Sequence, residues 1–429
     1  MTDRTPYRSV SILGDGVVRS NDSWATGLNN NELVLGPSGA GKTRGFLMPN
    51  LAYGNQEASF LVLDTKGTLF DECGPALRER GYEVERLDFT DVGGSIGWDP
   101  LDHVRAGAMA QRDILAVASA ICPCEFTTDP YWDLAAANYL SAFLAYVVEA
   151  FPAGLRTTDR VVRLFEEASD AAVANAMFDT WRVEEPDSFA ARVWRRSRIT
   201  QGSDKTHASI MGVLAQKVAV LGFDAVTALF TSRERVDFAR LGHERVALFV
   251  TVSDVDRSLD PLVSLFVTQA LQGLLREADR CEGGRLPRPV RLFLDDFANL
   301  RIPDFDKVIA VTRSREVWVT MLCQSYAQLV DLYGGPGAEV VRGNCDTSLV
   351  LAFQDDATAS AFAVMAGRSP DSLVRSGESW LFVRGWEPRR VSAFDPTVLT
   401  GGSQRARDTG NGVAVNDARV SSDGSVLGA

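Results

Sequence analysis

The clearest chemistry in this 429-residue chain lies in Gly36-Pro37-Ser38-Gly39-Ala40-Gly41-Lys42-Thr43, directly after the apolar run Leu33-Val34-Leu35. The spacing fits G-x-x-x-x-G-K-[ST], a loop that wraps the phosphates of a nucleoside triphosphate. Its glycines let the backbone turn tightly and point successive N–H groups at anions. Lys42 is expected to reach the β- and γ-phosphates, and the Thr43 hydroxyl to help hold Mg²⁺. A helix starting here, with Arg44 next in line, adds its positive end to that field. Gly36 to Thr43, with Arg44, are therefore the expected nucleotide-contacting residues.

A second constellation lies far along the chain. Leu292-Phe-Leu-Asp295-Asp296-Phe297 is an apolar strand ending in two carboxylates. At such a strand end one acid can bind Mg²⁺, often through water, and its neighbour can orient the attacking water. Asp295 is assigned to the metal and Asp296 to the water. Asp296 is one methylene shorter than Glu, which sets its carboxylate back by about 1–1.5 Å and makes slow hydrolysis the expectation. Gln324, closing the run Trp318–Cys323, reads either as a sensor of the γ-phosphate from a neighbouring strand tip or as a satisfied loop amide. Arg313 and Arg315 read either as solvated charges or as fingers reaching a neighbouring subunit.

These groups must be carried by alternating strands and helices. Leu33–Leu35, Phe60–Asp64, Val84–Phe89, 245–252, 290–294, 318–323, 348–353 and 379–383 read as strands, with helices after the phosphate loop and at 69–80 and 259–278. That alternation predicts an α/β fold with a mostly parallel central sheet. Between 104 and 215 the apolar spacing is helical throughout, which predicts an all-α domain inserted into the α/β one. The expected divisions are a polar lead-in over 1–30, nucleotide-binding segments over 31–103 and 216–400, the all-α domain over 104–215, and a disordered tail over 401–429.

Composition narrows the class. An apolar fraction of 45% and a charged fraction of 23% suit a soluble globular protein. A net charge of −12 argues against a broadly basic surface, so any nucleic-acid contact must be local. The densest basic run, Arg192-Val-Trp194-Arg195-Arg196-Ser-Arg198, has two readings. Its arginines and Trp194 could hold phosphates and stack on bases, or it is an amphipathic helix with a packed tryptophan. Gln201 to His207 reads as a polar loop. Leu134 to Val148 is too short to span a membrane comfortably and carries Asn138, so it reads as a buried core helix. Cys122-Pro-Cys124 has no histidine at ligand spacing, so no zinc site is expected from it.

Taken in order, these residues resemble the type IV coupling proteins of conjugation and secretion systems, the TraG/TraD-like group. The resemblance rests on Gly36–Thr43 followed by Arg44-Gly-Phe-Leu-Met-Pro49-Asn50, then Leu63-Asp64-Thr-Lys66-Gly67, Trp98-Asp-Pro-Leu101 and Asp129-Pro-Tyr-Trp132. It continues through Leu294-Asp-Asp-Phe-Ala-Asn299-Leu300, Ile302-Pro-Asp-Phe305, Thr312-Arg-Ser-Arg315 and Gln324-Ser325 to Asn344-Cys-Asp346. It implies a RecA-like P-loop ATPase domain with an inserted all-α domain, ATP and Mg²⁺ as cofactors, and homo-hexamers around a channel. It further implies a motor that delivers relaxase-bound single-stranded DNA, or effector proteins, to a type IV secretion channel, with relaxosome and effectors recruited by the all-α domain. Arg313 matches that group's arginine finger and Gln324 its polar sensor. Members generally begin with transmembrane helices and carry Glu at the position of Asp296. The expectation here is a truncated chain, or a subtype held at the inner face of the membrane by a separate partner and otherwise cytoplasmic. Two other readings stay open at this point: a nucleotide-gated receptor or adaptor with little pumping, and a translocase like FtsK or HerA.

Overall fold

The computed structural model describes residues 9–124 and 130–394. The expected tail over 401–429, Asp129 and the first eight residues lie outside that set. The chain forms two compact units, one of residues 1–85, 238–250 and 274–429, the other of residues 86–237 and 251–273.

The first unit is built on a nine-stranded sheet. Its strands are β3 (Glu32–Leu35), β4 (Ser59–Asp64), β5 (Glu83–Asp88), β6 (Val246–Thr251), β7 (Val290–Leu294), β8 (Val317–Cys323), β9 (Thr347–Val350), β10 (Ser379–Val383) and β11 (Arg389–Val391), in the order β11-β10-β9-β3-β8-β7-β4-β6-β5. The pairs β9–β3, β3–β8, β8–β7 and β7–β4 are parallel, whereas β10 pairs antiparallel with β9 and β11. Every residue of β3, β4, β7, β8 and β9 is buried. This is why those segments read as continuous apolar runs rather than alternating ones: a parallel sheet is covered on both faces. Phe60, Tyr82, Phe293 and Trp318 lie in the core beside it, with Phe60 stacked on Tyr82 at 5.3 Å between ring centroids. Each such side chain contributes about 1.5–3 kcal/mol of burial.

Polar residues in these strands are paired. Arg291 of β7 donates to Glu32 Oε2 at 2.7 Å and to Thr320 Oγ1 at 2.7 Å, and Arg19 donates to Glu32 Oε1 at 3.3 Å. All three charged side chains are buried. The two guanidiniums outweigh the burial penalty and hold Glu32 below its ordinary value.

Residues 1–30 hold more structure than a lead-in. β1 (Val10–Gly14) and β2 (Val17–Ser20) form an antiparallel hairpin across Asp15-Gly16, with Gly16 at φ 65°. The turn signal Gly-Asp-Gly between two short apolar runs marks this hairpin. It is tied to the helix behind the phosphate loop through Asn50, whose Oδ1 accepts from Ile12 N at 2.9 Å while its Nδ2 donates to Ile12 O at 2.8 Å.

The second unit carries the helical stretch. Ala110–Ile121, Tyr131–Ala150, Thr158–Glu167, Ala171–Glu184, Phe189–Ser197, Asp204–Ala219 and Asp224–Thr231 are α-helices. Thr157, Asp170, Ser188 and Ser203 cap four of them by accepting backbone N–H groups. Helix Tyr131–Ala150 is the core helix, and Phe143 on it meets Phe165, Phe178 and Trp194 edge-on. Among the described residues no single helix is long and apolar enough to cross a membrane.

Trp194 resolves the two readings of the basic run. It is 1% exposed, lies stacked on Phe178 at 4.5 Å and donates its Nε1–H to Asn175 Oδ1, so its ring cannot stack on a base. Arg198 is paired with Asp179, while Arg195 and Arg196 are exposed. The polar loop expected at Gln201 to His207 is instead mostly the start of a helix, because Ser203 accepts from Thr206 N and so nucleates Asp204–Ala219. The Trp98-Asp-Pro-Leu101 run is structural: Asp99 is fully buried and accepts from Leu101 N, Thr158 N and Thr158 Oγ1.

Candidate functional site

The strand register sets the site. Leu35 of β3 is level with Cys323 of β8, Met321 of β8 with Leu294 of β7, and Leu294 with Leu63 of β4. The residues that follow these ends, Gly36, Gln324 and Asp295, and the last residue of β4, Asp64, therefore line one edge of the sheet. That is the carboxyl edge of the parallel strands, where ligands bind in open α/β sheets.

The phosphate loop is anchored at its start by Gly36 N, which donates to Cys323 O at 3.1 Å. Gly39 and Gly41 have φ of 80° and 93°, conformations that a side chain at these positions would strain. The helix after the loop begins as a π-helix over Lys42–Leu47 and becomes α-helical over Met48–Ala52. Pro49 supplies a reason: it has no N–H to donate and its ring crowds the carbonyl four residues back, favouring the wider turn.

Lys42 Nζ donates to Gly36 O at 2.6 Å and Pro37 O at 3.1 Å, which holds the ammonium over its own loop. Burial lowers its pKa, opposed by the carboxylates of Asp295 and Asp296. Lys66, exposed on the turn after β4, pushes Lys42 in the same downward direction as burial. A second cation thus lies within electrostatic reach of Lys42. The Leu63-Asp64-Thr-Lys66-Gly67 run was visible in the sequence, but nothing there placed it beside Lys42. Asp64 in the same run accepts from Leu69 N at 2.7 Å and from Lys66 N at 3.3 Å, fixing the turn that carries Lys66.

Asp295 is buried, and its Oδ2 accepts from Thr43 Oγ1 at 3.1 Å. Burial first, and the adjacent Asp296 second, raise its pKa. Thr43 and Asp295 are the residues that would hold Mg²⁺: a hydroxyl and a carboxylate, hard oxygen donors, already within one hydrogen bond of each other. Asp296 sits in the left-handed region at φ 46°, ψ 45°, and its carbonyl accepts from Asn299 N. Behind it Phe297 is fully buried and meets Phe305 at 5.0 Å, with Tyr333 stacked on Phe305. That aromatic cluster braces the turn in which the two acids lie.

Gln324 is exposed, with its backbone N–H donated to Gln328 Oε1 at 2.8 Å. Arg44 is exposed on the helix after the loop. Arg313 and Arg315 are not brought to this edge. They form a short turn just before β8, and seven residues of strand put them about 20 Å from Gln324. Arg313 donates to Gly27 O at 3.0 Å, and Arg315 pairs with Asp279 at 2.9 Å. Within one chain neither can touch a phosphate held by Lys42.

Known proteins bear on this arrangement. The family model for conjugative DNA transfer in type IV secretory systems matches residues 5–369. Conjugal transfer protein TraG of Escherichia coli is 23% identical over 391 residues, covering 86% of this chain and 60% of TraG. Protein VirD4 of Agrobacterium fabrum is 23% identical over 346 residues, covering 76% of this chain and 48% of VirD4. The chain thus spans about half to 60% of the length of these relatives. Among solved structures, the unbound conjugative coupling protein TrwBΔN70 superposes with a TM-score of 0.66 at 17% identity, covering 92% of this chain and 90% of that one. TrwB has also been solved with ADP and Mg²⁺, at the same TM-score and identity, covering 91% and 90%. The α/β fold with a mostly parallel sheet and a helical unit is shared with these coupling proteins. With a family match over most of its length, the chain belongs to the conjugative DNA transfer proteins of type IV secretory systems.

Proposed function

We propose that this chain is a Mg-ATP-dependent coupling ATPase that brings relaxase-bound single-stranded DNA, or protein substrates, to a type IV secretion channel. The observation that carries this is the meeting of Lys42, Thr43 and Asp295 at the carboxyl edge of the sheet, in a member of a DNA-transfer family. The nucleotide and Mg²⁺ held by TrwB support the same ligands here.

In this reading the backbone of Gly36–Thr43 cradles the phosphates, and Lys42 exchanges two loop carbonyls for phosphate oxygens. Mg²⁺, held by Thr43 and Asp295, would supply charge neutralisation to the phosphates. Asp296 orients the attacking water and Gln324 reads the γ-phosphate. Arg313, at the far end of β8 from Lys42, acts in this reading as a finger on the site of a neighbouring copy, and the homo-hexameric ring that the resemblance implies is the working form. The 104–215 segment recruits relaxosome or effectors, and the assembly works in the cytoplasm at the inner face of the membrane. The remaining reading, a receptor that binds ATP chiefly to assemble, is favoured by the shorter acid at Asp296.

Turnover of ATP by the wild type and by Lys42→Ala, with and without single-stranded DNA, decides between them. Turnover that DNA raises and Lys42→Ala abolishes is expected. Tight ATP binding with no turnover under any condition would sink the motor reading and leave the receptor.

A further inference from the structure

Outside the nucleotide site, His243, Glu277 and Cys281 converge on one point within the first unit. His243 Nε2 lies 3.0 Å from Glu277 Oε1 and 4.0 Å from Cys281 Sγ, and Sγ lies 3.9 Å from Oε1. We propose that these three side chains form a Zn²⁺ site that clamps the turn before β6 to the end of helix Asp260–Arg280.

The triangle has the right size. A cation in the plane of the three atoms and equidistant from them would sit about 2.1 Å from each, within the range of about 2.0–2.3 Å that Zn²⁺ takes to nitrogen, oxygen and sulfur. Moving out of that plane toward a fourth, solvent ligand needs only a small inward shift. His243 can supply it, since its side chain is 44% exposed. An imidazole, a thiolate and a carboxylate together select a borderline-soft ion over Mg²⁺ or Ca²⁺. On binding, the thiol gives its proton to solvent.

The scaffold holds the ligands in place before any ion arrives. Glu277 and Cys281 are one helical turn apart, and Cys281 N donates to Glu277 O at 3.1 Å, so both project from one face. Glu277 Oε2 accepts from Arg280 Nη1 at 3.4 Å, which leaves Oε1 directed at His243. The turn bearing His243 is pinned by Arg288 N, donating to Gly242 O at 2.9 Å. A Cβ at Gly242 would come within 2.7 Å of Leu286 Cδ2, so a side chain there would displace that buried leucine. The three ligands are separated by up to 38 residues in sequence, and so no spacing motif announces them. The clamp lies on the stretch leading into β7, whose far end carries Asp295, and its role is to brace the sheet rather than to take part in chemistry.

The test uses the untagged full chain with Zn²⁺ or Co²⁺ alone, without nucleotide. One equivalent of Co²⁺ should give the thiolate-to-cobalt charge-transfer absorption of a tetrahedral site. Cys281→Ser should abolish that absorption, and His243→Ala should weaken Zn²⁺ binding by at least about tenfold. Cys124→Ser, at a free and exposed cysteine outside both sites, should leave both unchanged. Zn²⁺ should also protect Cys281 of the wild type from alkylation, read on its peptide by mass spectrometry, which needs no variant. Absence of the absorption, its survival in Cys281→Ser, or alkylation of Cys281 unaffected by Zn²⁺ would each overturn the site.

Discussion

Thr43 Oγ1 donates to Asp295 Oδ2 across 3.1 Å, joining the end of the phosphate loop to the end of β7, 252 residues later. Because the Asp295 carboxyl is raised by burial and by Asp296, a divalent cation beside it relieves a charge that the site otherwise holds at a cost. Asp295→Asn should therefore weaken Mg-ATP binding by about 1.5–3 kcal/mol, roughly ten- to hundredfold, while Mg-free ADP binds almost as before. The raised pKa also means that protons compete with Mg²⁺ at a higher pH than at an ordinary aspartate, so affinity for Mg-ATP should fall as pH is lowered. Calorimetry with and without Mg²⁺ reads both; an Asp295→Asn protein with undiminished Mg²⁺ dependence would show that the metal is held elsewhere.

Asp296 occupies left-handed backbone at φ 46°, where a short polar side chain is tolerated better than a long one. This gives a second consequence of the shorter acid besides its reach. Asp296→Glu should speed hydrolysis by advancing the carboxylate, and lower the thermal midpoint by adding backbone strain. Asp296→Ala should reduce turnover by about 10²–10⁴-fold with ATP binding intact. Steady-state turnover, paired with a thermal melt, separates the two effects. A Glu variant with unchanged turnover would show that the water is positioned by another group.

Much of this architecture was legible because its signals are local. Gly36–Thr43 is contiguous, and β7 and β8 are uninterrupted apolar runs because both faces of a parallel sheet are covered. What stayed hidden depends on register. Lys66 comes within electrostatic reach of Lys42 only because β4 lies beside β7 and ends at the same edge. Arg313 sits eleven residues from Gln324 in sequence yet at the opposite end of β8. Trp194 presented two faces on paper, and only its stacking against Phe178 chose between them. The hairpin of β1 and β2 escaped notice for another reason. Its strands are short, and the buried polar residues Ser11 and Arg19 on them are satisfied by Asn21 and Glu32, so hydropathy alone carries little of it.

Glu32 lies between Arg19 and Arg291 in the core of the first unit, 1% exposed. Its folded-state pKa is lowered, so the native protein keeps the carboxylate ionised after the unfolded chain has begun to take up a proton. The stabilisation is therefore fully present above the ordinary glutamate value of 4.5 and is lost as pH falls below it toward the folded value. Glu32→Gln removes the charge and deprives two buried guanidiniums of the carboxylate they share, a loss of about 3–5 kcal/mol at neutral pH. The wild type should melt well above the variant at about pH 7, and the gap should narrow as the medium is acidified below the ordinary glutamate pKa. Thermal midpoints of both proteins over that range test this. A gap that stays constant on acidification would mean that packing of the Glu32 side chain, and not its charge, holds the two arginines in place.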